Sequence, residues 1–155
     1  MKYKLLVILC SAGLFIGSCA KEVRSTPTNS GTAVTNTTTE NTSSTKKSGK
    51  FQDGEHPTTG NVSVVNENGK RYILFDESFK TDDNGPDLFV ILHRKSKVPV
   101  YGVQQKDYVQ LARLQKTKGT QRYAIPENVQ LADFRSVAVW CKKFNATFGF
   151  APLSN

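Results

Sequence analysis

A polar segment near the N-terminus confines any packed core to the last two thirds of the chain. Residues 25–49 read STPTNSGTAVTNTTTENTSSTKKSG, in which 17 of 25 positions are Ser, Thr or Asn. Such a segment cannot bury enough apolar surface to offset the entropy of ordering it. We therefore expect a disordered tether over residues 19–50 and one folded domain over residues 51–155, where nearly all the aromatic residues lie.

The first 18 residues have the pattern of an export signal. Two lysines precede twelve mostly apolar residues over positions 5–16, and this run is shorter than the about 20 residues that a membrane-spanning helix needs. The ending IGSC, at residues 16–19, resembles the lipobox of bacterial lipoproteins. That resemblance implies cleavage before Cys19, attachment of lipid to its thiol, and a location in the cell envelope facing the periplasm or the cell surface. The alternative is an ordinary signal peptide with an accidental cysteine.

The chain has three cysteines, and their positions leave one thiol for the folded domain. Cys10 lies in the predicted signal peptide, and Cys19 is predicted to carry lipid. Cys141 is then the only free thiol, so a disulfide within the mature chain is excluded. An unpaired cysteine in an exported protein points to a reactive thiol, an intermolecular bridge or a cofactor ligand. The alternative is a buried cysteine that packs as a small hydrophobic side chain.

The basic balance of the chain does not indicate a nucleic-acid partner. The formal net charge is +8, and removal of Lys2 and Lys4 with the signal leaves 19 basic and 13 acidic residues, or +6. That charge divides equally between the tether and the folded part. Neither carries the dense basic stripe of a nucleic-acid binder. The lysines of the tether favour proximity to anionic lipid headgroups instead.

Apolar alternation interrupted by turn residues predicts strands throughout residues 51–155. The segments are NVSVV and KRYILF joined by NENG, then DLFVILH, QRYAIP, RSVAVWC and ATFGFAPL. Asn68–Gly69 suits a hairpin turn with positive φ, and the apolar run DLFVILH suits a strand covered on both faces. The segment DYVQLARL fits either a strand or a short helix. The pattern predicts an all-β domain, an antiparallel β-sandwich or barrel.

The phase of the strand RSVAVWC places Cys141 near the end of a central strand. Val137, Val139 and Cys141 share one face of an extended strand, and Lys142 and Lys143 then mark the edge of the sheet. We therefore expect a thiol that is shielded and still reachable. The aromatic side chains of the same half are predicted to be core, namely Tyr123, Trp140, Phe144, Phe148 and Phe150.

The folded part resembles the DM13 domain family. The most specific likeness is SVAVWCKKFNATFGFAPL over residues 136–153, and further matching residues precede it at Gly119, Gln121, Tyr123, Ile125 and Pro126. Weaker likenesses lie upstream, with His56 and Gly60 in GEHPTTGNVSV and with Pro86 and Asp87 in NGPDLFVIL. The resemblance covers residues 51–153. It implies an extracellular β-rich domain that takes part in electron transfer or oxidative modification at cell surfaces.

The resemblance also implies chemistry for particular residues. The family's cysteine is suggested to act as a naked thiol or as a ligand of a prosthetic group such as heme, and this role falls on Cys141. His56 would be the second heme ligand, because it lies in the matching opening segment, whereas His93 is predicted to end a strand and to point to solvent. The attachment pattern Cys-x-x-Cys-His is absent from the sequence, so any heme would be noncovalent.

Other site chemistries are not indicated. Two histidines and one free cysteine do not make a zinc site without carboxylate ligands, and the acidic segment FDESFKTDDNGPD lacks the spacing of an EF-hand. We predict a lipid-anchored domain with an accessory redox role centred on Cys141 and with a redox partner protein. The alternative is a non-catalytic binding or structural module of the envelope in which Cys141 is core.

Overall fold

The computed structural model describes residues 47–155, which form two antiparallel β-sheets and two short 3₁₀ turns. The strands are β1 (Lys47–Lys50), β2 (Gln52–Asp53), β3 (Asn61–Glu67), β4 (Lys70–Phe75), β5 (Leu88–His93), β6 (Tyr108–Arg113), β7 (Gln121–Ile125), β8 (Ser136–Cys141) and β9 (Ala146–Pro152). The 3₁₀ turns are Gln105–Asp107 and Leu131–Asp133. Within this part of the chain, no helix has the length and apolar character needed to cross a bilayer.

The two sheets enclose one main core and form a β-sandwich. One sheet has the strand order β1-β3-β4-β7 and the other β2-β9-β8-β5-β6, so β8 lies in the middle of the five-stranded sheet. Inward-facing side chains from both sheets make the core, for example Val62 and Ile73 from one sheet and Val90 and Val139 from the other. The predicted all-β antiparallel sandwich is confirmed.

Local turn chemistry and strand burial follow the sequence closely. Asn68 and Gly69 have φ of 51° and 77° and connect β3 to β4, as the hairpin prediction requires. Leu88, Val90, Ile91 and Leu92 of β5 are all buried, which confirms that this apolar run is covered on both faces. The segment that fitted either a strand or a helix is the strand β6, which follows directly on a 3₁₀ turn.

A loop supplies the second cover of the five-stranded sheet. Residues 94–104, which we call the covering loop, place Val98 and Val103 on the outer face of that sheet against Ile91 and Trp140. The Ser136 hydroxyl donates a hydrogen bond to the Lys95 carbonyl at 2.7 Å. The Thr147 hydroxyl donates likewise to the Pro99 carbonyl, also at 2.7 Å. Strands β8 and β9 are therefore buried on both faces although the described residues form only two sheets.

Two features differ from the sequence analysis. Strand β1 pairs with β3 from Lys47 onward, before residue 51, at which the folded domain was predicted to begin. Phe144 was predicted to be core but is 59% exposed, because it lies in the turn between β8 and β9 rather than in a strand. The other four predicted core aromatics are buried.

Candidate functional site

Cys141 is the last residue of the central strand β8. It pairs with Leu88, the first residue of β5, and with Ala146, the first residue of β9, so all three strands meet at the outermost rung of the sheet. The prediction that Cys141 ends a central strand is confirmed. Its side chain is 0% exposed and belongs to the main apolar core. The thiol is therefore shielded, and exposed Lys142 follows it at once.

Leu88 links the surroundings of Cys141 to the protein surface. Side chains of paired residues on neighbouring strands lie side by side, and both of these belong to the main core. Leu88 also borders a surface cleft of about 290 Å³, lined in addition by Pro86, Arg113 and Leu114. A Cβ placed on Gly85 would meet the Leu88 Cγ at 2.6 Å, so the loop before β5 packs closely on this leucine. The thiol thus lies beside a side chain that itself reaches a surface cleft.

His56 lies in a separate polar cluster. Its Nδ1 is 3.4 Å from the Asp82 carboxylate, and its ring is stacked on Phe148 with the ring centres 4.0 Å apart. The backbone N–H of Asn84 donates to Asp82 at 2.7 Å, and together with the nearby His56 it lowers the pKa of that carboxyl. The interaction of His56 with Asp82 is thus a half-buried polar contact outside the apolar core.

The surroundings of Cys141 and His56 do not fit a heme held between them. The Cys141 thiol is completely enclosed by the packed core, which leaves no open position for iron. His56 is occupied by Asp82 on its polar edge and by Phe148 on its face, and Phe148 belongs to the same core as Cys141. Within residues 47–155, no group of three or more His, Cys, Asp or Glu side chains is placed to hold a metal ion.

His93 corrects a second expectation. It ends β5 as predicted, but its side chain is 0% exposed instead of pointing to solvent, because the covering loop folds back over that end of the strand. The backbone N–H of Lys95 donates to Nδ1 at 3.1 Å, and the carbonyl of the same residue lies 3.4 Å from that nitrogen. The Nε2 atom has no hydrogen-bond partner among residues 47–155. Burial lowers the pKa of His93, and the backbone hydrogen bond with Lys95 and the nearby Asp107 carboxylate only partly oppose this effect.

The buried neutral His93 predicts a pH-dependent stability. The unfolded chain takes up a proton at this residue near pH 6.5, whereas the folded chain resists protonation until a lower pH. Stability is therefore fully present above about pH 6.5 and falls as the pH drops below it. In His93→Gln, the part of the stability loss that is due to protonation of His93 is expected to disappear. Melting temperatures of both proteins at pH 8, 7, 6 and 5 measure this difference. Equal slopes in both proteins would contradict the assignment.

The sequence analysis missed a residue that organises the end of β8. Asn145 has φ of 48°, its Oδ1 accepts a hydrogen bond from the Trp140 indole at 3.0 Å, and its Nδ2 donates to the Val103 carbonyl at 3.3 Å. It thereby ties the β8–β9 turn to the covering loop. An asparagine in a tight turn between two strands is a signal for positive φ, but its contact with Val103 depends on a loop about 40 residues away.

The chain was compared with models of protein families. A family model described as electron transfer DM13 matches residues 50–153, which include all of the strands from β2 to β9. Searches of curated proteins and of solved structures gave no match.

Proposed function

We propose that this chain, which belongs to the DM13 electron-transfer family over residues 50–153, is a lipid-anchored extracytoplasmic domain that passes electrons to or from a partner protein through the thiol of Cys141. The match covers two thirds of the chain and supports a general role in redox chemistry. The anchor at Cys19 rests on the lipobox-like IGSC and lies outside the described residues.

The placement of Cys141 is the observation that carries the proposal. Cys141 is the free cysteine of the described residues. It occupies the outermost rung of a central strand, directly before two exposed lysines and beside Leu88, which reaches a surface cleft. Local opening at the end of a sheet requires less free energy than global unfolding. The thiol is therefore protected from random oxidants but accessible when this rung opens.

A single thiol supports a thiol–disulfide exchange cycle with partners. The Cys141 thiolate attacks one sulfur of a partner disulfide, the S–S bond breaks, and the other partner sulfur leaves as a thiolate. A further thiol then attacks the mixed disulfide and releases Cys141 as a thiolate. The incoming thiol is thereby oxidised to the disulfide level, and the sulfur that left the partner disulfide in the first step is reduced to a thiolate. Both disulfide and thiol belong to other proteins.

A second function is supported by the burial of Cys141. A thiol that is 0% exposed among apolar side chains also suits a residue that only packs. The domain would then be a binding or structural module of the envelope. The two functions differ in one observable property, because an inert core cysteine reacts only when the whole domain unfolds.

The lipid anchor is tested by fractionation of cells that produce the chain. Wild type is expected in the membrane fraction and Cys19→Ala in the soluble extracytoplasmic fraction, because only Cys19 carries the lipid. Cys10→Ala is the matched control, since that residue belongs to the removed signal, and it is expected to stay with the membrane. Equal distributions of wild type and Cys19→Ala would contradict the anchor.

A further inference from the structure

Three exposed apolar side chains lie on two paired segments that meet near the end of β8. Val100, Tyr101 and Phe144 are 37%, 61% and 59% exposed, and they are the exposed large hydrophobic residues of the described part of the chain. The exposed Lys142 and Lys143 lie in the same turn as Phe144. We call these five residues the aromatic–lysine patch. Single exposed apolar residues need no explanation, but neighbouring ones mark interaction sites.

Backbone hydrogen bonds hold the two segments of the aromatic–lysine patch together. The N–H of Thr147 donates to the Val100 carbonyl at 2.7 Å, and the N–H of Gly102 donates to the Asn145 carbonyl at 3.1 Å. The side chain of Asn145 adds hydrogen bonds to Trp140 and to the covering loop. The surface is therefore formed before any partner arrives, which reduces the entropy lost on binding.

The patch carries positive charge that the domain itself does not neutralise. The ammonium groups of Lys142 and Lys143 lie 5.6 Å from the ring centres of Phe89 and Phe144, respectively. Within residues 47–155, neither forms an ion pair with a carboxylate.

Two carboxylates close to these segments are already engaged. Asp87, whose carbonyl accepts a hydrogen bond from the Lys142 N–H, is paired with Arg113 at 2.7 Å. Glu55 accepts the Tyr101 hydroxyl hydrogen bond at 2.9 Å and keeps its negative charge, so the two lysines leave one positive charge in excess. The complementary surface is therefore one with carboxylates around an apolar centre.

The patch lies at the opposite end of β9 from Lys47, the first described residue. Strand β1 begins at Lys47, and Ser48 pairs with Ser154 beyond the last residue of β9. The β8–β9 turn precedes the first residue of β9. Seven residues of strand separate the two ends, which corresponds to about 20 Å. A partner protein seated on the patch therefore leaves the start of the folded part uncovered.

We infer that the aromatic–lysine patch is the docking surface for an acidic face of the redox partner protein. The inference rests on the proposed function and adds the place and chemistry of the encounter. A partner seated there contacts the residue that directly follows Cys141. The lysines attract and orient the partner, and Phe144 and Tyr101 supply the apolar contact at the centre.

The test uses the full chain and its single tryptophan. Trp140 is 4% exposed and bonded to Asn145 beneath the patch, so its fluorescence reports binding there. The probe is a tryptophan-free peptide of glutamates around a central leucine and phenylalanine. Its counterpart has every glutamate replaced by lysine. We expect saturable binding of the acidic peptide at least tenfold tighter than that of the basic peptide, and weaker binding at high salt.

Variants locate the binding on the patch. The substitutions Phe144→Ala and Lys143→Glu are each expected to weaken binding of the acidic peptide at least fivefold. Lys70→Glu is the matched control for charge, since Lys70 is exposed on the other sheet, and it is expected to leave binding within twofold. Absence of saturable binding, or equal effects of Lys143→Glu and Lys70→Glu, would overturn the inference.

Membrane binding is the competing outcome. Vesicles of phosphatidylcholine with one third phosphatidylglycerol are titrated in the same way. If the protein binds these vesicles more tightly than the acidic peptide, and if this binding depends on Phe144, the inference of a protein partner is overturned. Cys141→Ala is expected to bind the acidic peptide as wild type does. Failure of the docking surface is therefore distinguishable from failure of the redox role, which is measured by thiol reactivity alone.

Discussion

Leu88→Ala is expected to raise the rate at which Cys141 reacts with an aromatic disulfide reagent by at least tenfold. Truncation of a buried leucine lowers the free energy of unfolding by about 2–5 kcal/mol. Here the truncation weakens packing at the strand pair that contains the thiol, because Leu88 pairs directly with Cys141 and borders the cleft. The absorbance of the released thiolate gives the rate. The same variant in a Cys141→Ala background gives the signal that does not come from Cys141, which is subtracted.

Leu92→Ala is the matched control for this prediction. Leu92 is 0% exposed and lies in the same strand and the same core as Leu88. It pairs with Val137, four residues along the strand from the Cys141 rung, which is about 13 Å away. Leu92→Ala is expected to lower global stability about as much as Leu88→Ala does. It is expected to raise the reaction rate of the Cys141 thiol much less. Equal acceleration by both variants would mean that Cys141 reacts only after global unfolding.

Gly149→Ala is expected to lower the free energy of unfolding by about 1–3 kcal/mol. A Cβ at Gly149 would overlap the Cβ, Oγ1 and Cγ2 atoms of Thr58. Thr58 is 1% exposed, and its hydroxyl is 2.9 Å from that of Thr81, so it has little room to move. The glycine of the Phe-Gly pair is therefore required by the close approach of the segment that carries His56. Chemical denaturation measures the loss.

A double-mutant cycle separates this overlap from the general effect of replacing a glycine. In a Thr58→Gly background the atoms that would overlap the new Cβ are absent, so Gly149→Ala is expected to lower stability by well under half as much as in wild type. If the loss is the same in both backgrounds, the contact with Thr58 is not the reason for the glycine.

Strand pattern and turn chemistry were enough to predict the class of fold. The hairpin at Asn68–Gly69, the doubly covered β5 and the terminal position of Cys141 in a central strand all depend on local alternation and on backbone preference at a turn. These signals lie within a few residues of the feature that they predict. The likeness of residues 51–153 to the DM13 family agrees with the family match over residues 50–153.

The covering loop could not be predicted from such local signals. Its closure over the five-stranded sheet buries His93 and depends on contacts between segments about 40 or more residues apart, such as those of Ser136 with Lys95 and Thr147 with Pro99. The position of Phe144 in a turn instead of a strand also separates it from the aromatic residues that pack inside. The contact of His56 with Phe148 could likewise not be predicted from the sequence.

The reaction of native Cys141 with a disulfide reagent tests the central claim most directly. Full-length wild type and Cys141→Ala are mixed with the reagent without denaturant, and the rate of mixed-disulfide formation is compared with the global unfolding rate from Trp140 fluorescence. The proposed redox role predicts one adduct at Cys141, formed faster than the domain unfolds. Formation only at the global unfolding rate would contradict that role and leave Cys141 as a core residue of a binding or structural module.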